Sequence, residues 1–475
     1  MRMTGLASGM DIETMINKMM DAERIPLTKL EQKKTVTEWK RDEYRELNKM
    51  LSELDTFLFD NMTMSSKMSA KKASSSNTNA ISVSASSSAP NVNVNMSVEQ
   101  LATSASWQTT VLDKNKLPLD KDYEVEFQVK NPGETTYTSV KVSLSATDDY
   151  GEIAKKINNS KVGMTALYDE KTGKFALTAN KTGEGIDVKL NSDGASVFNQ
   201  LGFKNIDSSN TFSPTTEGKN AKFTYNGVEI ERESNTFEIN GLNITLKSTT
   251  AKGELVTLST EADSDAVIKV VEDFVNKYND IVKRFSDEYG EKKNRSYVPL
   301  TDEQKKEMSD DQIKLWEEKA KSGLLRGDST ISTALSNMRN IMNFSPELKA
   351  LGITPSANYT ENGKLTLDKD KLRKAITENA DVVYDTFKGK GITDSLRNEV
   401  KSTVKKIEGK AGNTLKSNDQ FTLGKELKTL DERISAMQAR LETVEARYYK
   451  QFSAMEAAIQ KSNSQSDYIY QMFSQ

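Results

Sequence analysis

Apolar residues change period along the chain. Tyr44, Leu47, Leu51, Leu54 and Leu58 recur at steps of three and four, which is one face of a helix. Upstream, Ile12, Met15, Ile16 and Met19 form a shorter apolar face. It is expected to end before Pro26, because proline lacks an N–H and its ring collides with the preceding turn. The C-terminal pattern is longer. Leu423, Leu427, Leu430, Ile434, Met437, Leu441, Val444, Tyr448, Phe452, Met455 and Ile459 alternate steps of three and four, with one break between Tyr448 and Phe452. Lys425, Glu426, Glu432, Arg433, Arg440, Glu442, Glu445 and Arg447 lie between them. That is a coiled-coil seam with charged flanks, long enough for about 65 Å of helix. Ser417 and Gln420 have the spacing of a capping box that would open it.

The middle of the chain has another period. Residues 61–80 hold eleven Ser, Thr or Asn and are expected to form a linker. Beyond them, residues alternate with period two: Tyr123/Val125/Phe127/Val129, then Val140/Val142/Leu144 after Asn131-Pro132-Gly133. Asn226-Gly227 and Asn240-Gly241 separate further alternating runs and predict hairpins, because both turn residues need positive φ. One short helix is expected, from Asp148 through Ile153 and Ile157. From about Asp265 the helical period returns, with capped starts at Thr301 and Ser309.

These patterns predict an α+β multidomain chain: a helical, coiled-coil leg formed by both termini, carrying inserted β-rich head domains.

Composition narrows the chemistry. The 475 residues include no Cys and no His. Disulfide scaffolds, thiol nucleophiles, imidazole acid–base catalysis and His- or Cys-ligated metals are therefore excluded. A net charge of -3 gives no electrostatic case for a nucleic-acid partner. No window approaches the ~18 apolar residues of a membrane span. Residues 1–10 lead straight into Asp11 and Glu13 without the apolar run of a secretory signal, so a cleavable signal is not expected. Only carboxylates remain as catalytic candidates. Asp148-Asp149 is better explained as a helix start than as a glycosidase pair, and Asp368 with Asp370 as an N-terminal helix charge. No catalytic, cofactor-binding or metal site is expected, and the chain is not expected to be an enzyme.

The seam residues Leu427, Leu430, Ile434, Met437, Leu441, Val444, Tyr448, Phe452, Met455 and Ile459 bury their stripe either within one chain or between chains. Beyond them, Tyr468, Ile469, Tyr470, Met472 and Phe473 crowd five large apolar groups into eight residues. Such a terminus points to docking onto a partner. The face at Ile12, Met15, Ile16 and Met19 has the same standing.

The run Gly5-Leu6-Ala7-Ser8-Gly9-Met10-Asp11, followed by Met19-Met20-Asp21-Ala22-Glu23-Arg24-Ile25-Pro26-Leu27, resembles the opening of the flagellar filament cap family, the hook-associated protein 2 or FliD proteins. Residues 148–177, with Ile153-Ala154, Ile157-Asn158, Met164-Thr165-Ala166 and Gly173, are similar to the flagellin/hook insertion motif. Residues 221–246 resemble the start of the family's C-terminal region. Phe274-Val275, Tyr278-Asn279, residues 324–329, Leu351-Gly352-Ile353-Thr354 and Gly363-Lys364-Leu365-Thr366-Leu367-Asp368 complete the likeness.

The resemblance implies a non-enzymatic assembly protein at the flagellar tip, extracellular, promoting ordered flagellin addition and preventing subunit loss. It implies a homo-oligomeric ring, a pentamer by family likeness, with head domains in a plate and helical legs below. On that likeness the expected parts are terminal coiled-coil segments at 1–40 and 432–475, a helical leg at 41–75 and 264–431, a β-rich head at 76–110 and 218–263, and a second, inserted β-rich head at 111–217 that holds the insertion motif. The implied partners are other copies of the chain, flagellin, hook-associated junction proteins, and an export chaperone on the C-terminal helix. Export would follow the flagellar type III route. A hook–filament junction protein is the nearest alternative, and a surface adhesin with a coiled-coil stalk is a more distant one.

Overall fold

The computed structural model describes residues 11–63, 66–113, 118–388 and 391–473. Its contacts divide into two compact units, Ser69–Ser264 and the pair Met1–Met68 with Asp265–Gln475.

In chain order the elements begin with helix α1 (Ile12–Leu58). The β unit then holds β1 (Lys71–Ser75), β2 (Ile81–Ala85), β3 (Asn93–Gln100), β4 (Ser104–Gln108), β5 (Tyr123–Lys130) and β6 (Thr138–Leu144). It continues with α2 (Tyr150–Asn159), β7 (Met164–Asp169), β8 (Lys174–Thr182), β9 (Asp187–Leu190) and α3 (Ser192–Gln200). Its last strands are β10 (Ala221–Tyr225), β11 (Val228–Arg232), β12 (Thr236–Ile239), β13 (Leu242–Leu246) and β14 (Val256–Ala262).

Two cores fill this unit. In one, an antiparallel sheet ordered β1-β14-β3-β10-β11 and a second ordered β12-β13-β2 enclose Ile81, Met96, Phe223, Ile244 and Val256. In the other, sheets β4-β8-β7 and β6-β5-β9 with α2 and α3 enclose Trp107, Phe127, Ile153, Phe175 and Phe198. Both Asn-Gly pairs make the expected tight turns, with φ of 48° and 83° at Asn226-Gly227 and 52° and 78° at Asn240-Gly241. Asp149 caps α2 in a capping box with Glu152, and Asp148 accepts the Ser145 N–H and pairs with Lys156. The adjacent carboxylates are thus occupied structurally.

Two expectations fail here. The polar stretch 61–80 is not all linker: residues 71–75 form β1, an edge strand whose two lysines suit an exposed sheet border. A second short helix, α3, also interrupts the strands. Asn191 caps it by accepting the Gly194 N–H, and Val197, Phe198 and Leu201 drive it into the core.

The two lobes meet where the chain crosses twice. Thr103 and Lys219 exchange backbone hydrogen bonds of 2.9 and 3.1 Å, and the Gly183 turn packs on them. A Cβ at Gly218 would lie 2.1 Å from the Gly183 carbonyl oxygen and 3.0 Å from that of Thr103. Backbone cannot yield as a flexible side chain does. Gly218→Ala is therefore expected to cost about 1–3 kcal/mol, read as a lower urea midpoint, whereas Gly290→Ala, which meets open space, changes little.

The helical unit contains α1 and, after the strands, α4 (Ser264–Gly290), α5 (Asp302–Lys306), α6 (Asp310–Lys321), α7 (Ser329–Asn343) and α8 (Pro346–Ala350). A small hairpin of β15 (Ile353–Pro355) and β16 (Leu365–Leu367) precedes α9 (Lys369–Phe387), α10 (Ile392–Ala411) and α11 (Thr422–Phe473). Leu47, Leu51, Leu54 and Leu58 of α1, Phe274, Tyr278 and Phe285 of α4, and Leu396, Val400 and Ile407 of α10 are buried. Thr301 and Ser309 form capping boxes as expected, and Asp368 caps α9.

Two further expectations are corrected. The N-terminal face does not stop at Pro26, because α1 runs through it as one 47-residue helix. Pro26 is exposed, so the carbonyl it leaves without an amide partner is on the wet side of the helix. Ser417 and Gln420 do not open the seam helix. Ser417 makes no side-chain cap; residues 418–420 form a 3-10 turn, Phe421 is extended and buried, and α11 begins at Thr422. Gly412, at φ 66°, and Gly424 let the Phe421 ring sit between them, where a Cβ would fall 2.5 and 2.7 Å from the ring.

Candidate functional site

Both terminal helices leave the bundle side by side, antiparallel. The register is fixed at several heights: Arg45 stacks its guanidinium 5.6 Å from the Phe421 ring, Lys33 pairs with Glu426 at 3.0 Å, and Lys34 pairs with Asp431 at 2.6 Å. Farther out, Ile12, Ile16 and Met20 are buried against Leu441 and Val444, with Met15, Leu27, Met437, Tyr448, Tyr449 and Phe452 packed around them. The apolar contacts dominate this arm. Its ion pairs are largely exposed, and such pairs contribute less than about 1 kcal/mol each.

The inner end of the arm is anchored by three consecutive residues of α1. Arg284 of α4 pairs with Glu43. Tyr44 donates its hydroxyl to Asp328 at 2.5 Å, and Lys410 of α10 donates to the same carboxylate at 2.7 Å. Asp328 also caps α7 through the Thr330 and Ile331 N–H groups. Burial works against its charge, but the Lys410 and Tyr44 hydrogen bonds outweigh that and hold its carboxyl below the usual range. Burial and the Asp328 charge push the Tyr44 hydroxyl up, so it stays protonated and donates. Arg45 Nε donates to the Ala411 carbonyl at 3.0 Å.

The far end of α11 is bare. Tyr468, Ile469, Tyr470 and Met472 are 63%, 53%, 81% and 66% exposed, a run of apolar surface unusual for a helix in water.

A sequence profile described as "Flagellar hook-associated protein 2 C-terminus" matches residues 218–464, and its N-terminal counterpart matches residues 8–105. The flagellar hook-associated protein 2 of Halalkalibacterium halodurans is 30% identical, and the alignment covers 100% of both chains. The chain belongs to the flagellar hook-associated protein 2 family.

The profile "Flagellin hook IN motif" matches residues 125–181, which span β5 to β8 and include the whole of α2. The hook-associated protein 2 of Escherichia coli K12 is 25% identical, over 99% of this chain and 97% of its own. A crystal structure of the E. coli flagellar cap protein FliD, domains D1-D2-D3, shares the fold at TM-score 0.57 and 22% identity, covering 78% of this chain and 96% of that one.

The structure distributes the family's resembling blocks, and the residues expected at an interface, unevenly. Gly5 to Met10 of the opening block lie outside the described residues. Ile12, Ile16, Leu427, Leu430, Leu441 and Val444 are buried, all by this chain's own helices. Met15, Ile434, Met437, Tyr448, Phe452, Met455 and Ile459 are half-buried along the same seam. Met19 points away, 39% exposed, and Met20 takes the place expected for it. The step of four from Ile12 to Ile16 to Met20 is the signal that separates these neighbours. The tail residues are exposed as given above, except that the Phe473 side chain lies outside the described residues. No helix among the described residues is long and apolar enough to cross a membrane.

Proposed function

We propose that this chain caps the distal end of the bacterial flagellar filament, an extracellular position, and guides ordered addition of flagellin while preventing its loss. The observation that carries this is the end-to-end match to hook-associated protein 2, joined to two terminal helices that form one arm. Members of the family act as an oligomer on the filament. We further assign residues 1–40 and 432–475 to the arms that enter the assembly, and the β unit to the head. A five-membered ring, contacts with junction proteins and a chaperone on the exposed tail extend the same reading, as does export by the flagellar type III route. A junction protein is the weaker choice, because both hook-associated protein 2 profiles match in order.

The arm suits a cap that must move as subunits arrive. It is a pair of helices with one buried stripe, rich in Met and Tyr, so its contacts are few and adaptable. Its tail residues gain burial only against a neighbour.

The reading is tested by producing the chain without residues 441–475 in a bacterium that lacks its own copy. The expected result is loss of swimming, with flagellin monomer released into the medium and the β unit still folded. Filaments of normal length would overturn it.

A further inference from the structure

Methionine supplies all of this chain's sulfur: 18 Met stand beside no Cys. Without thiols to react first, the thioethers are the groups a peroxide oxidises, and the sulfoxide formed is polar where the thioether was apolar. What that reaction does depends on where each sulfur lies. In the β unit and the helical bundle most are shut away: Met62, Met96, Met164, Met338 and Met342 are at most 3% exposed. Met50 and Met308 are half-buried, but neither belongs to the arm's apolar cluster.

The arm differs. Met15 of α1 and Met437 of α11 are half-buried and pack on the cluster of Ile12, Ile16, Met20, Leu441 and Val444. Met20, 1% exposed, lies inside that cluster. Each helix thus places one reachable sulfur on the border of the same buried stripe.

We propose that Met15 and Met437 are oxidation sites through which a peroxide opens the terminal arm. The sulfur lone pair attacks one peroxide oxygen; an S–O bond forms and the O–O bond breaks. The hydroxide released takes the proton from the transferred oxygen and leaves as water. The thioether loses two electrons and the peroxide gains them. The new oxygen is a hydrogen-bond acceptor, and the aliphatic side chains of the stripe offer it no donor. Keeping it buried is unfavourable, so the seam parts and the oxygen turns to water. Opening bares Met20, which makes the step self-reinforcing. Met19 and Met472, 39% and 66% exposed, react as well, but they line no buried stripe and leave the pairing intact. On the reading proposed above the arms enter the assembly, so the reaction's window is a copy not yet seated. That consequence rests on the capping role; the chemistry is a property of the free chain.

Hydrogen peroxide treatment of the purified full chain tests the proposal, with mass mapping of each added oxygen and hydrogen exchange of the arm. Met15 and Met437 are expected to oxidise roughly tenfold faster than Met96 and Met342, with Met20 following. Amides of residues 12–30 and 441–460 are then expected to exchange roughly tenfold faster, while those of 47–58 keep their protection. The double variant Met15→Leu/Met437→Leu, close in volume and without these sulfurs, is expected to keep its arm closed at the same dose. Oxidation of Met15 and Met437 no faster than Met96 would overturn the proposal. So would an arm that stays protected once both carry oxygen, or one that opens equally in the double variant. Swimming is not a readout, so failure of the capping role leaves each of these outcomes unchanged.

Discussion

Asp328→Ala is expected to destabilise the helical unit by about 2–4 kcal/mol, comparable to truncating a buried leucine. Three losses combine. The α7 N-terminus loses the acceptor for Thr330 and Ile331, typically about 1 kcal/mol. Tyr44, 1% exposed, is left with a buried hydroxyl that has lost its acceptor, costing roughly 1–3 kcal/mol. Lys410 loses its counter-ion, which counts for less because that side chain is 33% exposed. The terms overlap, so the sum is capped below their total. Asp328→Asn should recover part of the cap but not the ion pair. The Asp328 carboxyl lies below its ordinary 3.8, so its contribution is complete above that value and is lost as pH falls through the lower folded value. Urea midpoints of the native chain and Asp328→Ala should therefore converge only in strong acid. A constant gap down to pH 2 would show that the ion pair contributes nothing.

Much of this architecture was legible because period is a property of short windows. The seam from Leu423 to Ile459, the Asn-Gly hairpins and the capped starts at Asp149, Thr301 and Ser309 each follow from local rules, and all formed. What was not legible depends on contacts distant in the chain. Nothing near Pro26 announces that α1 continues, because its stability comes from α11 and from the leg core. The Ser417 capping box fails because Phe421 is more favourably buried between two glycines than exposed on a longer helix. The anchor at Glu43, Tyr44 and Arg45 joins residues up to 368 positions apart in sequence, so no window contains it. Met19 and Met20, adjacent and chemically identical, differ only in helix phase, and a four-residue step from Ile16 chooses between them.

Ile16→Asp is expected to abolish the arm's pairing while leaving the bundle folded, and so to separate assembly from stability. Ile16 is fully buried against Leu441 and Val444, with Ile12 and Met20 on either side. An aspartate there loses roughly 2–4 kcal/mol of apolar burial and desolvates a charge with no cation provided for it. The arm has no second layer to absorb this, since its flanking ion pairs are exposed and worth little. Opening should stop near Arg45, where the anchor to Asp328, Lys410 and Ala411 begins. Hydrogen exchange is the direct measurement. Amides of residues 12–30 and 441–460 should lose protection, while those of 47–58 keep it. Met19→Asp, on the exposed side of the same turn, is the matched control for pairing and should leave the exchange pattern unchanged. If Ile16→Asp opens the arm yet filaments still grow to full length, arm pairing is dispensable and the interface must lie elsewhere on the chain. If instead the whole helical unit unfolds, the arm and bundle are one cooperative body, and the adaptability argued for the cap cannot reside in this seam.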